Sequence, residues 1–202
     1  LYSLSRQGSE YVRGEIASSD PAIKMGDGWI VALRHRDAGD LKSYRDMMAR
    51  DYGEELQFLS TEQTREKLNS VRYFESISNS GAFHIHPLKY SLMLAREAEK
   101  SGASLHECSP ALAVEKLGNE WRVRCAEGEV IAQHVVHCVS SLDRIIHKAS
   151  GRAVLPVATY VAVTEPLNQN AVRTSAAVAD TRRAGNYYRL IDGGWLLLGG
   201  HI

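Results

Sequence analysis

The chain has 202 residues, 44% of them apolar, enough for one good core or two small ones and for one to two domains. Lys plus Arg and Asp plus Glu number 24 each, so no net field draws it toward nucleic-acid backbones or an anionic membrane surface, and no nucleic-acid partner is expected. Its apolar runs fall far short of the roughly 20 residues that span a bilayer and no signal segment opens it, so a cytoplasmic, globular protein is expected.

Leu4, Gly8, Tyr11, Val12 and Ile16 recur at helical spacing and predict an amphipathic helix that ends before Ser18-Ser19-Asp20-Pro21. The chain starts with Leu rather than Met, which suggests a piece of a longer protein. Gly28 to His35 has strand composition, and Asp37 to Tyr52 carries Leu41, Tyr44, Met48 and Tyr52 on one helical stripe, expected to be core. Ser60-Thr61-Glu62-Gln63 has the form of a capping box, so a short helix should follow to about Leu68.

Pro87 fits the first position of a helix whose stripe runs through Leu88, Leu92, Ala95 and Glu99, and Gly102 fits its left-handed cap. Ala103 to Glu107 then reads as a strand. Ala111 to Lys116, Trp121 to Cys125 and Val130 to Gln133 read as a three-stranded meander joined by Gly-Asn and Glu-Gly turns. Val135 to Val139 is apolar enough for a strand covered on both faces. After a basic linker at 144–152, Tyr160 to Val163 is a strand stopped by Glu165-Pro166, and Asn186 to Leu198 is a hairpin around Asp192-Gly193.

Cys108, Cys125 and Cys138 fit neither a disulfide framework nor a zinc ribbon and read as reduced, half-buried thiols. His84-x-His86 and His134-x-x-His137 lack the further ligands a metal site needs, so no metal is expected. No G-x-S-x-G elbow, P-loop, H-E-x-x-H or G-x-G-x-x-G motif occurs, and Gly26-x-Gly28 precedes a strand rather than a helix. Tyr187 and Arg189 should project from one face of an extended strand, placing a phenol beside a fixed cation as a clamp for a carboxylate or other anionic end. An ordinary aromatic hairpin with a solvated Arg would show the same spacing.

Three segments together resemble the FAD-dependent oxidoreductases of the D-amino-acid oxidase superfamily, in particular the gamma-glutamylputrescine oxidase type. They are His84 to Tyr90 with its helix and Ser101-Gly102-Ala103; Leu155 to Tyr160 through Val163 to Leu167; and Ala179 to Arg182 followed by Tyr187 to Leu190 and Leu198-Gly199-Gly200. The resemblance covers most of residues 80–202. It implies FAD as cofactor and hydride transfer from the carbon beside an amine to the flavin, giving an imine that water hydrolyses. It places Tyr187, with Arg189 on the same strand face, against the substrate. It also places Pro110, Ala111, Cys138, Val139, Ser140, Gly199 and Gly200 against the cofactor. In the family the turn at 138–140 is usually small residues with Thr or Gly; His137-Cys138-Val139-Ser140-Ser141 departs from that.

The fold class implied is α+β: a mixed-sheet substrate domain plus part of a FAD-binding, glutathione-reductase-like domain with a three-stranded meander. The expected division is 1–80 and 151–202 for two substrate-domain segments and 81–150 for the flavin-domain segment. The proline-to-glycine helix and the late hairpin are then expected to flank one flavin crevice, in an enzyme acting on a small amine or amino acid. The rival readings are a sarcosine, glycine or D-amino-acid oxidase, and a non-catalytic binding or assembly domain on the same scaffold. Without the glycine motif, this piece alone is expected to bind FAD weakly or not at all.

Overall fold

The structure is a computed structural model that describes residues 1–139, 146, 148–168, 170–182 and 185–200, leaving aside the side chains of 148–150. The helices are α1 (Tyr2–Ser19), α2 (Gly39–Tyr52), α3 (Thr61–Leu68), α4 (Pro87–Lys100) and α5 (Lys148–Ala153). The first strands are β1 (Lys24–Ala32), β2 (Gln57–Leu59) and β3 (Ser76–Ile85), followed by the meander β4 (Ala113–Leu117), β5 (Glu120–Arg124) and β6 (Glu129–Ala132). The last are β7 (Tyr160–Val163), β8 (Ala177–Asp180), β9 (Asn186–Ile191) and β10 (Trp195–Gly200). The fold is α+β, and the chain divides into two compact units, residues 1–97 with 159–202, and residues 98–158.

The first unit is built on a seven-stranded mixed sheet in the order β2-β3-β1-β8-β9-β10-β7. Only β1 and β8 run parallel; the other neighbours are antiparallel. Period-two alternation sends Ile30, Ala32 and Val178 to one face, where they bury against Leu68, Tyr73 and Tyr188. Val31 and Ile77 take the other face and pack with Leu33, Leu41, Phe58 and Phe74. A third cluster of Ile16, Ile23 and Met93 ties α1 and α4 to Phe83 and Ile85 of β3. Burying each of these large side chains contributes about 1.5–3 kcal/mol relative to leaving it exposed.

Local signals act where the sequence places them. Ser60 Oγ accepts the Gln63 N–H at 3.3 Å while Gln63 Oε1 accepts the Ser60 N–H at 2.8 Å, completing the capping box of α3. Pro87 opens α4, and Gly102 sits at φ +91 just past its end. His86 adds a cap that composition alone does not announce, its Nδ1 accepting the Lys89 N–H at 3.3 Å. The meander pairs as expected, in antiparallel order β4-β5-β6.

Other expectations are corrected. Residues 103–107 form no strand, and neither do residues 135–139; Val136 is 82% exposed and Val139 47%. A strand needs a neighbour for its backbone polar groups, and among the described residues neither segment has one. Of the α2 stripe Leu41 is buried and Met48 half-buried, while Tyr44 and Tyr52 are exposed, the latter with its ring tilted against that of Tyr2 at a separation of 4.5 Å. Cys108 and Cys138 are exposed rather than half-buried. Strand β3, polar through Ser76, Ser78, Asn79 and Ser80, was not legible as a strand; it is one because β1 and β2 flank it. Strand β3 runs without a break through Ser80, and the division into compact units falls within α4.

Candidate functional site

The β8–β9 turn aims β9. The carboxylate of Asp180, its side chain 1% exposed, accepts the backbone N–H of Arg182 and of Asn186 at 3.2 Å each and pairs with the Arg182 guanidinium at 2.8 Å. From there the strand alternates. Tyr188 goes into the core, its ring 6.4 Å from that of Tyr73, and burial together with the Tyr73 hydroxyl pushes its phenol well above the ordinary tyrosine range. Tyr187 and Arg189 therefore occupy the opposite face, as the spacing requires.

On that face Tyr187 is paired across the ladder with Gly199, and Arg189 with Leu197. The Tyr187 ring lies directly over Gly199: a Cβ there would overlap Cζ, Cε2 and the hydroxyl oxygen. Gly199 thus gives the phenol its place on the sheet, and Gly200 sits under the Asn186 amide in the same way, an added Cβ meeting Oδ1 at 3.0 Å. Val161 and Val163 of β7 lie opposite Gly199 and Leu197, and with Trp195 they leave an exposed apolar surface next to the Tyr–Arg pair.

Arg189 reaches sideways across the sheet. Its Nη1 donates to the Ile85 carbonyl at 2.9 Å and meets Nδ1 of His84 at 3.4 Å. Among the described residues no carboxylate pairs with it, and partial burial lowers its pKa from the ordinary guanidinium value. A partly desolvated cation without a counter-charge favours an incoming anion. His84 itself is 9% exposed, and its Nε2 lies 2.8 Å from the Ser175 carbonyl. It crosses β1 at its ladder partner Gly26, where any Cβ would collide with the imidazole and with the Ser175 carbonyl oxygen.

The start of α4 and the hairpin stand next to each other, joined by Arg189 to Ile85 and by Lys89 Nζ to Asp192 at 3.5 Å. A depression of about 410 Å³ bounded by Met25, Thr174, Ser175, Leu190, Ile191 and Asp192 lies at the Ser175 end. The sequence offered His84 as half of a metal pair and as the start of the His84–Tyr90 segment, with no role beside Arg189, and gave no sign of Ser175. The first had a faint signal in Gly26, the second none, because it acts through its backbone. Among the described residues no group of three or more His, Cys, Asp or Glu could hold a metal ion.

In the second unit, Pro110 lines a cleft of about 540 Å³ with His106, Cys108, Cys125 and Glu127. Ala111 is half-buried, Cys138 and Val139 are exposed in irregular chain, and Ser140 lies outside the described residues. Among the described residues no glycine-rich loop joins a strand to a helix to cradle a diphosphate, and His86 Nδ1 takes one of the first-turn N–H groups of α4. Among the described residues, then, no diphosphate cradle for FAD is formed. No helix among the described residues is long and apolar enough to cross a membrane.

Comparison with known proteins extends these observations. The chain is 26% identical to a probable oxidoreductase OrdL of Rhizobium meliloti (strain 1021), over 99% of this chain and 48% of the relative. It is 26% identical to the gamma-glutamylputrescine oxidoreductase of Escherichia coli (strain K12), over 100% of this chain and 49% of the relative. It thus spans about half the length of these relatives. Among solved structures it superposes on L-proline dehydrogenase from P. horikoshii with TM-score 0.79 and 15% identity, covering 98% of this chain and 54% of that one. Glycine oxidase from Geobacillus kaustophilus gives TM-score 0.73 and 18% identity, covering 98% and 53%. These two likenesses establish the fold. The sequence model of the FAD dependent oxidoreductase family, DAO, matches residues 1–202 throughout, and the chain belongs to that family.

Proposed function

We propose that the whole protein is an oxidase of the C–N bond of a small amine or amino acid, gamma-glutamylputrescine-like, and that the β9 face binds the substrate's anionic end. The observation that carries this is Arg189: a partly buried guanidinium with no carboxylate partner among the described residues, on the same strand face as Tyr187. Bound flavin would supply the hydride acceptor. This chain's part would be to orient the substrate, with Arg189 fixing its anion and the Tyr187 ring and neighbouring apolar side chains keeping water from the amine carbon. The name of the Escherichia coli relative supports the substrate class.

In this reading residues 81–150 belong to the flavin domain and residues 1–80 and 151–202 to the substrate domain. Pro110, Ala111, Cys138, Val139, Ser140, Gly199 and Gly200 face the cofactor, which needs further residues for its diphosphate. The protein acts in the cytoplasm. The test is anaerobic mixing of the full-length protein with gamma-glutamylputrescine, sarcosine, glycine and D-alanine. Loss of the visible flavin absorbance with an amine of this set is expected. A full-length protein that carries no flavin, or one whose flavin none of them bleaches, would overturn the proposal, and the first result would favour a non-catalytic module.

A further inference from the structure

We infer that His84 is a positioning residue for the substrate anion: held as the Nε2–H tautomer by the Ser175 carbonyl, it presents a bare Nδ1 that steers the Arg189 guanidinium. The tautomer follows from the partners. A carbonyl oxygen only accepts, so Nε2, 2.8 Å from Ser175 O, carries the hydrogen. A guanidinium only donates, so the Nδ1 it meets at 3.4 Å is the lone-pair side. Ser175 therefore sets the ring, and the ring helps set the cation.

Two further features argue that the arrangement is built. Gly26 leaves open the space the imidazole needs to cross β1, since a Cβ there would overlap both His84 Nε2 and Ser175 O. The Ile85 carbonyl takes Nη1 at 2.9 Å, so two acceptors on successive residues of β3 hold one guanidinium nitrogen. Both acceptors are neutral, so they orient Arg189 without spending its charge, which stays available to an anion. A carboxylate at position 84 would orient the guanidinium too, but would neutralise it.

This rests on the proposed anion site at Arg189, and the experiment separates the two. The full-length protein and its variants are assayed with gamma-glutamylputrescine and with the carboxamide of its carboxylate. His84→Leu, and independently Gly26→Ala, are expected to raise KM for the carboxylate substrate about tenfold, with kcat changing less than KM, the carboxamide insensitive and flavin content unchanged. His84→Gln, which keeps one donor and one acceptor, should restore most of the loss; a side chain that merely filled space would show no such rescue. If Arg189→Ala raises KM while His84→Leu and Gly26→Ala leave it unchanged, His84 does not position the cation and the inference falls, with the anion site intact. If Arg189→Ala has no effect either, the anion site falls and the inference with it. Should His84→Leu fail to fold, Gly26→Ala and His84→Gln decide alone: a KM that rises in the first and stays near wild type in the second supports the inference, and a KM unmoved in the first overturns it.

Discussion

The Tyr187 ring covers Gly199, its direct partner on β10, so closely that this position has no room for a Cβ. An aromatic laid over a cross-strand glycine pins register and shields the bare backbone. Gly199→Ala should therefore drive the phenol off the sheet and destabilise the fold by about 1–3 kcal/mol, read from denaturant midpoints. Adding Tyr187→Ala should relieve the overlap, so that the double variant is more stable than the two single changes sum to. Strict additivity would show that the ring does not depend on the glycine.

Tyr188, one residue on, gives a prediction in pH. The folded state holds its phenolic proton more tightly than the unfolded chain, where tyrosine ionises near about pH 10. Its contribution to stability is whole below that pH and is lost as the pH rises above it. The unfolding free energy should then fall by at most about 1.4 kcal/mol per pH unit above pH 10 on account of this group. Tyr188→Phe should flatten that slope in alkaline denaturation. An unchanged slope would mean the phenol is not held neutral by the core.

The 202 residues alone should not keep a dinucleotide, since they contain no diphosphate-binding glycine loop and Val139 of the turn expected against the cofactor is exposed. Expressed by itself and desalted, the chain should be colourless. A sample that stays yellow would show that the second unit holds FAD without that loop.

What could be read from the sequence was local. Ser60 with Gln63, Pro87 with Gly102 and Asp192-Gly193 act through neighbours a few residues away, and each marks its element in the structure. The Tyr187–Arg189 face followed from strand alternation alone. What was hidden depends on distant partners. Polar β3 is a strand because of β1 and β2, while the apolar stretch at 135–139 has no neighbour among the described residues and forms none. His84 acquires its place from Ser175, 91 residues further along the chain, through a backbone atom that residue type does not encode.

The central claim is that Arg189 holds the anionic end of the substrate, and equilibrium binding of a simple anion tests it most directly. The full-length flavoprotein is titrated with acetate, and separately with uncharged acetamide, while the visible flavin spectrum is followed. Acetate should perturb the spectrum saturably, acetamide far less, and Arg189→Ala should raise the acetate Kd at least about tenfold, as the loss of a charge-assisted contact requires. Equal acetate affinity in wild type and Arg189→Ala would contradict it.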